Sequence, residues 1–244
     1  MRITRIYSTQ QLSSHTTVAL EPGPSRHLAR VLRLAVGDLL TLFDGNGGEY
    51  PGEITAIDKK AVQVRTGEHR DTESESPLAI HLGIGVSRGE RMDWLIQKST
   101  ELGVTALTPL LTEHTGVKLS GERAVKKIQH WQQVAISACE QCGRNQPPVI
   151  HPLQSAENWL DIAEAEQKFV LHHRAQTIDV ASCNPRSIAL FVGPEGGLSE
   201  SEIAAAERSG YTALRLGPRV LRTETAPLAA IAILQAWWGD MMPG

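Results

Sequence analysis

Two glycine-rich segments near the end of the chain hold residue types that can do chemistry. They are Gly193-Pro194-Glu195-Gly196-Gly197-Leu198-Ser199 and Leu216-Gly217-Pro218-Arg219-Val220-Leu221-Arg222-Thr223-Glu224-Thr225-Ala226. Glycine lets a backbone turn sharply and come into contact with a ligand without an intervening Cβ. Glu195 and Glu224 are carboxylates that could take up a proton, and Arg222 carries a permanent charge on a planar fork. Neither segment is followed by Gly-Lys-Ser/Thr, so neither is a phosphate-cradling loop. One such loop reads equally well as a tight turn. Two, each with Gly-Pro and a carboxylate, favour a crevice for a small molecule.

The elements that must position these residues are legible around them. Each segment follows a short apolar run, Ile188 to Val192 and Ala213 to Leu216, and each precedes a helical pattern. Ser199 followed by Glu202 is a capping-box signature, which predicts a helix starting there and stopping at Gly210. Further strands are predicted at Leu78 to Val86, Val104 to Leu111 and Lys168 to His172. Met92, Leu95, Ile96, Ser99 and Leu102 follow helical spacing, as do Ile128, Trp131, Ala135 and Cys139. Alternation of this kind implies a parallel sheet covered by helices, with ligands bound at the carboxyl ends of its strands. The apolar stretch Leu228 to Trp238 predicts a last helix, with Pro227 tolerated in its first turn.

Upstream, Gly67 to Pro77 contains no large apolar residue and reads as a linker. The expected division is therefore residues 1–70, a linker at 71–77, and a larger domain at 78–244. Val36 to Phe43 and Ala61 to Arg65 read as short strands separated by tight turns, which suggests a small barrel. Arg26, Arg30 and Arg33 would share one face of a helix, with His27 at its border. Such a face is either solvated surface or a contact for phosphates.

Composition narrows the function classes. The 244 residues are 41% hydrophobic with a net charge of −3, so bulk charge does not announce a nucleic-acid binder. No apolar run is long enough to span a bilayer and no signal-peptide core is visible, so a cytoplasmic protein is expected. Three cysteines argue against a secreted disulfide framework. Cys139-Glu140-Gln141-Cys142 lacks a second cysteine pair and is read as structural rather than as a zinc site. Gly83-Ile84-Gly85-Val86-Ser87-Arg88-Gly89 misses the dinucleotide-binding spacing by one residue. His172-His173-Arg174 closes a predicted strand.

The two C-terminal blocks resemble the signature blocks of the bacterial small-subunit rRNA uridine-N3 methyltransferases (RsmE), a family of the SPOUT class. Similarity extends over nearly the whole chain, including Arg2 to Tyr7, His27 to Asp38, Ser87 to Gly103, Thr115 to Leu119 and Ala138 to Asn145. The resemblance implies an α/β fold of the SPOUT type, an alpha/beta knot with a deep trefoil knot and a parallel sheet. It also implies a small N-terminal PUA-like β-barrel that binds RNA. The implied cofactor is S-adenosylmethionine, and the implied partners are 16S rRNA or the small ribosomal subunit and a second copy of the chain. No metal and no membrane are implied.

The resemblance places the cofactor against Leu171, His172, Gly193, Pro194, Glu195, Gly196, Gly197, Leu216, Gly217, Val220, Leu221 and Arg222. RNA contacts are expected from Arg2, Arg5, Arg26, His27, Arg30 and Arg33. Methyl transfer to uracil N3 needs the N3 proton removed or the developing charge on the uracil oxygens stabilised. Arg222, Glu224 and Glu195 are the candidates, and sequence does not choose among them. The competing reading is a non-catalytic RNA-binding protein with a degenerate cofactor crevice, which the intact blocks disfavour.

Overall fold

The computed structural model describes residues 3–172 and 183–242. Arg2, His173 and Arg174 lie outside the described residues. The chain forms two compact units, Met1–Glu75 with Cys139–Pro147, and Ser76–Ala138 with Pro148–Gly244.

The first unit contains β1 (Thr4–Tyr7), β2 (Thr17–Ala19), α1 (Pro22–Arg26), a π-helical turn at His27–Val31, β3 (Leu39–Phe43), β4 (Tyr50–Ile57) and β5 (Val62–Thr66). Its sheet runs in the order β1-β3-β4-β5-β2. β1 lies parallel to β3 and the other pairs are antiparallel. Ile6, Leu40, Leu42, Ile54, Val62 and Val64 from the strands enclose the core together with Leu12, Leu20 and Leu28.

Two expectations change here. The helix through Arg26, Arg30 and Arg33 does not run continuously. It widens after Arg26, where the Leu32 amide reaches back to the His27 carbonyl, and ends at Arg33, whose φ is 55°. A left-handed residue stops helical propagation, so the three arginines do not form one helical face.

The polar stretch from Gly67 is also not a free tether. Arg70 and Glu49 exchange both backbone hydrogen bonds, at 2.9 and 2.8 Å. The Thr72 carbonyl accepts from Asn145 Nδ2, and the Glu75 carboxylate accepts two hydrogen bonds from the Arg144 guanidinium. A run with no apolar residue cannot be held by burial, but hydrogen bonds to a second polar segment hold it instead.

The second unit contains β6 (Ala79–Gly85), α2 (Arg91–Glu101), β7 (Val104–Leu111), most of α3 (Gly121–Cys142), β8 (Val149–Ile150), β9 (Gln154–Ser155), α4 (Ala156–Ile162), β10 (Gln167–Leu171), β11 (Ser187–Val192), α5 (Glu200–Arg208), β12 (Thr212–Leu214) and α6 (Thr225–Trp238). The sheet runs β12-β10-β11-β6-β7-β8, with β9 also on β7. Every pairing in it is parallel.

Alternation along β11 explains why it reads as an unbroken apolar run. Ile188, Leu190 and Val192 join a core with Leu95 and Ile96 of α2 and Ile231 and Leu234 of α6. Ala189 and Phe191 join a second core with Trp159 and Leu160 of α4 and Ala206 of α5. Both faces of the strand are buried, as in parallel sheets generally. Ser199 caps α5 with the full capping box, accepting from the Glu202 amide while Glu202 accepts from the Ser199 amide. Among the described residues, no helix is long and apolar enough to cross a membrane.

Candidate functional site

A cleft of about 450 Å³ opens at the carboxyl ends of β10, β11 and β12. Leu171 ends β10 and His172 follows it, Val192 ends β11 and Gly193 to Gly197 follow it, and Leu216, Gly217, Val220 and Leu221 follow β12, all lining the cleft. Its volume suits a small organic ligand. The two glycine loops form opposing walls, and Gly197 and Gly217 take φ values of 71° and 76°. Leu198, Ile203 and Leu214 add apolar surface, and Glu200, Arg219 and Thr223 add polar groups.

The first loop comes very close to β6. A Cβ on Gly85 would lie 2.5 Å from Pro194 Cδ, so the residue there must be glycine for Pro194 to seat. The Gly83–Gly89 segment therefore has a purpose that its failed dinucleotide spacing conceals: it supports the neighbouring loop.

Glu195 is held by two neighbouring residues. Its Oε1 accepts from the Arg88 amide at 2.9 Å and from Arg91 Nη1 at 2.7 Å. Arg91 Nε in turn lies 3.9 Å from Glu224 Oε2. Burial alone would raise the Glu195 carboxyl. The amide hydrogen bonds from Arg88 and the loop itself, together with the Arg91 charge, outweigh burial and hold it below the ordinary carboxylate range.

Of the residues expected at the cofactor site, all but Arg222 line the cleft. Arg222 is exposed between the lining residues Leu221 and Thr223, and Glu224 pairs with Arg91 rather than with Arg222. Arg88 and Arg91 escape sequence reasoning because 104 residues separate Arg91 from its partner Glu195.

A different site lies in the first unit. Arg26, Arg30, Lys59 and Lys60 surround a cleft of about 550 Å³ between the helical segment and the β4–β5 turn. Among the described residues none of these four cations has an acidic partner within 4.0 Å. His27 and Arg33 are exposed nearby in sequence but do not line it. Arg5 is not available as an RNA contact: it pairs with Glu49, donates to Asn145 Oδ1 and lies over the Phe43 ring at 5.0 Å.

Cys139 is buried, with Sγ 4.0 Å from the Gln146 carbonyl. Its hydrogen bond with Cys142, then burial, push the thiol upward, away from the thiolate form that reacts. Among the described residues no group of three metal-ligating side chains comes together.

A crevice at the carboxyl ends of a parallel sheet is where α/β enzymes bind small ligands, and a cleft lined by unpaired cations suits a phosphate-bearing partner. Residues 74–235 match the family model described as an RNA methyltransferase domain, and residues 25–66 match the RNA methyltransferase PUA domain. The chain belongs to the RNA methyltransferase family, in the group of ribosomal RNA small subunit methyltransferase E.

A protein of that name from Buchnera aphidicola subsp. Schizaphis graminum is 36% identical, over 98% of both chains. The structure of a methyltransferase from Legionella pneumophila with bound SAM superposes with a TM-score of 0.92 at 41% identity. It covers 98% of this chain and 100% of that one. Ribosomal RNA small subunit methyltransferase E from Neisseria gonorrhoeae, bound to S-adenosyl methionine, gives 0.92 at 40% identity, covering 99% and 100%.

Proposed function

We propose that this protein transfers a methyl group from S-adenosylmethionine to N3 of one uridine in small-subunit rRNA. The cleft formed by the two glycine loops carries this reading. Its backbone-rich walls can read an adenine edge through amides and carbonyls. Leu171, Val192, Leu198, Ile203, Leu214 and Leu216 offer apolar surface to the ring.

When bound, the sulfonium supplies an activated methyl group. The chain must orient the acceptor, an effect that can provide up to about 7–11 kcal/mol, and must deal with the proton on N3. Glu195 is a poor candidate base, because donors from Arg88 and Arg91 stabilise its ionised form. It serves instead to fix the loop. Glu224, beside the same guanidinium, has a similar anchoring role. Arg222 remains as the group for the uracil oxygens, since it is exposed and has no acidic partner among the described residues. A preorganised cation there stabilises the charge that develops as N3 becomes nucleophilic.

The basic cleft of Arg26, Arg30, Lys59 and Lys60 binds the phosphate backbone of the rRNA, with His27 and Arg33 contributing from the adjoining surface. A homodimer fits the exposed Trp94, Trp237, Met241 and Met242 of the second unit, which a partner copy would cover. Action on ribosomal RNA supports a cytoplasmic location.

The decisive experiment is mass mapping of 16S rRNA from a strain lacking the gene. Loss of a single N3-methyluridine, restored by the wild-type gene but not by Arg222→Ala, is expected. An unchanged methylation map would reject the substrate.

A further inference from the structure

The segment from Leu216 to Glu224 is exposed along most of its length. Among the described residues it has one polar side-chain tie to a distant element, the Glu224–Arg91 pair. Arg91 is the first residue of α2, and its other edge binds Glu195 of the opposite loop. One guanidinium thus faces both walls of the cleft, with Nη1 toward the first and Nε toward the second.

We infer that Arg91 is a positioning residue for methyl transfer, tying the second glycine loop to the first and so setting the width of the cofactor cleft. The inference rests on the assignment of that cleft to S-adenosylmethionine.

Arginine suits the role because its planar fork offers different edges to two carboxylates, whereas a lysine ammonium is a single point. The Arg91 side chain is 47% exposed, so the pairs contribute little to global stability. Their effect is local. Without the Arg91 guanidinium, Glu195 keeps the Arg88 amide, but Glu224 is left without its cation and the loop that begins at Leu216 is freed. The other charged side chains around the cleft are Glu200 and Arg219, which line it, while the Arg88 guanidinium is held on the Gly116 carbonyl.

The test is calorimetric titration of S-adenosylmethionine into the full-length protein, paired with single-turnover methyl transfer and a thermal melt. Arg91→Met is expected to weaken cofactor binding about five- to tenfold while the melt moves little. Arg91→Lys should fall between the two proteins. It also serves as the folded alternative if the methionine variant does not fold. Because Arg91 and Glu195 act as a unit, Arg91→Met with Glu195→Gln should bind no more weakly than the worse single variant.

Wild-type affinity in folded Arg91→Met, or in Arg91→Lys where only that variant folds, would overturn the inference. So would effects of Arg91→Met and Glu195→Gln that multiply. Absence of binding by the wild-type protein would instead overturn the cleft assignment beneath it.

Discussion

His114 Cβ lies 2.7 Å from the position that a Cβ would occupy on Gly196. The glycine is therefore required by the wall behind the loop rather than by a ligand in front of it. His114 also reaches the loop with its ring, Nδ1 lying 3.2 Å from the Gly197 carbonyl. A side chain on Gly196 must push the loop toward the cleft or displace His114. We expect Gly196→Val to fold and to lose measurable cofactor binding. Gly196→Ala should weaken binding roughly tenfold, about 1.4 kcal/mol. Calorimetric titration checks both, and wild-type affinity in Gly196→Val would mean that the loop does not shape the pocket.

Gly85 makes the corresponding contact on the other side of the same loop. Its added Cβ would sit 2.6 Å from the Pro194 nitrogen, a backbone atom that cannot swing away. Gly85→Ala should destabilise the second unit by about 1–3 kcal/mol, the usual cost of overpacking. It should also reduce cofactor affinity. Chemical denaturation and titration together report the two effects; a variant as stable as wild type would mean that the strand and loop separate easily.

The third expectation concerns pH. Burial, then the neighbouring His151, lower the His81 imidazole to about 4 from its ordinary 6.5. The neutral ring lies 2.7 Å from Thr108 Oγ1. A depressed histidine leaves the unfolded chain binding the extra proton first, so stability is full above pH 6.5. It declines as pH falls toward about 4 and is then level. The loss over that window is at most about 3 kcal/mol. Unfolding free energies of wild type and His81→Gln between pH 8 and 4 should diverge in slope only below about 6.5. Parallel curves would show that His81 does not titrate against folding.

The basic cleft gives a fourth. Lys59→Ala with Lys60→Ala should weaken rRNA binding and reduce the salt slope. The reduction should be about 0.7 for each phosphate of single-stranded RNA that is no longer neutralised. Cofactor affinity should stay at the wild-type value. Binding measured across a salt series distinguishes these effects; an unchanged slope would leave the four cations as ordinary solvated surface.

What the sequence makes legible is what is encoded locally. Ser199 and Glu202 are three residues apart, and their capping box forms as the spacing predicts. The β11 run is apolar because both its faces are buried, so it too reads correctly from one short segment. Most residues lining the cleft lie within the two glycine blocks and are within reach for the same reason.

Relationships between distant segments are not legible in this way. No local pattern joins Arg91 to Glu195, or Asn145 to Thr72. The basic patch is partly visible as Arg26 and Arg30. Lys59 and Lys60 look like turn residues, since only the pairing of β4 with β5 brings that turn beside α1. The change to π winding after Arg26 has no signal in the residue types, so regular helical spacing puts Arg33 on a face that it does not share.

Because Cys139–Pro147 belongs to the first unit, the protein is constrained in how it can be inherited. Arg144 and Asn145 supply hydrogen bonds to Glu75 and Thr72, yet they are encoded in the middle of the sequence that builds the other unit. A gene fragment ending at Glu75 would carry every strand of the first sheet but not these donors. The RNA-directed module is thus written in two separate passages of the gene. Recombination at a single junction cannot transplant it whole, so the two units can be expected to travel through evolution together.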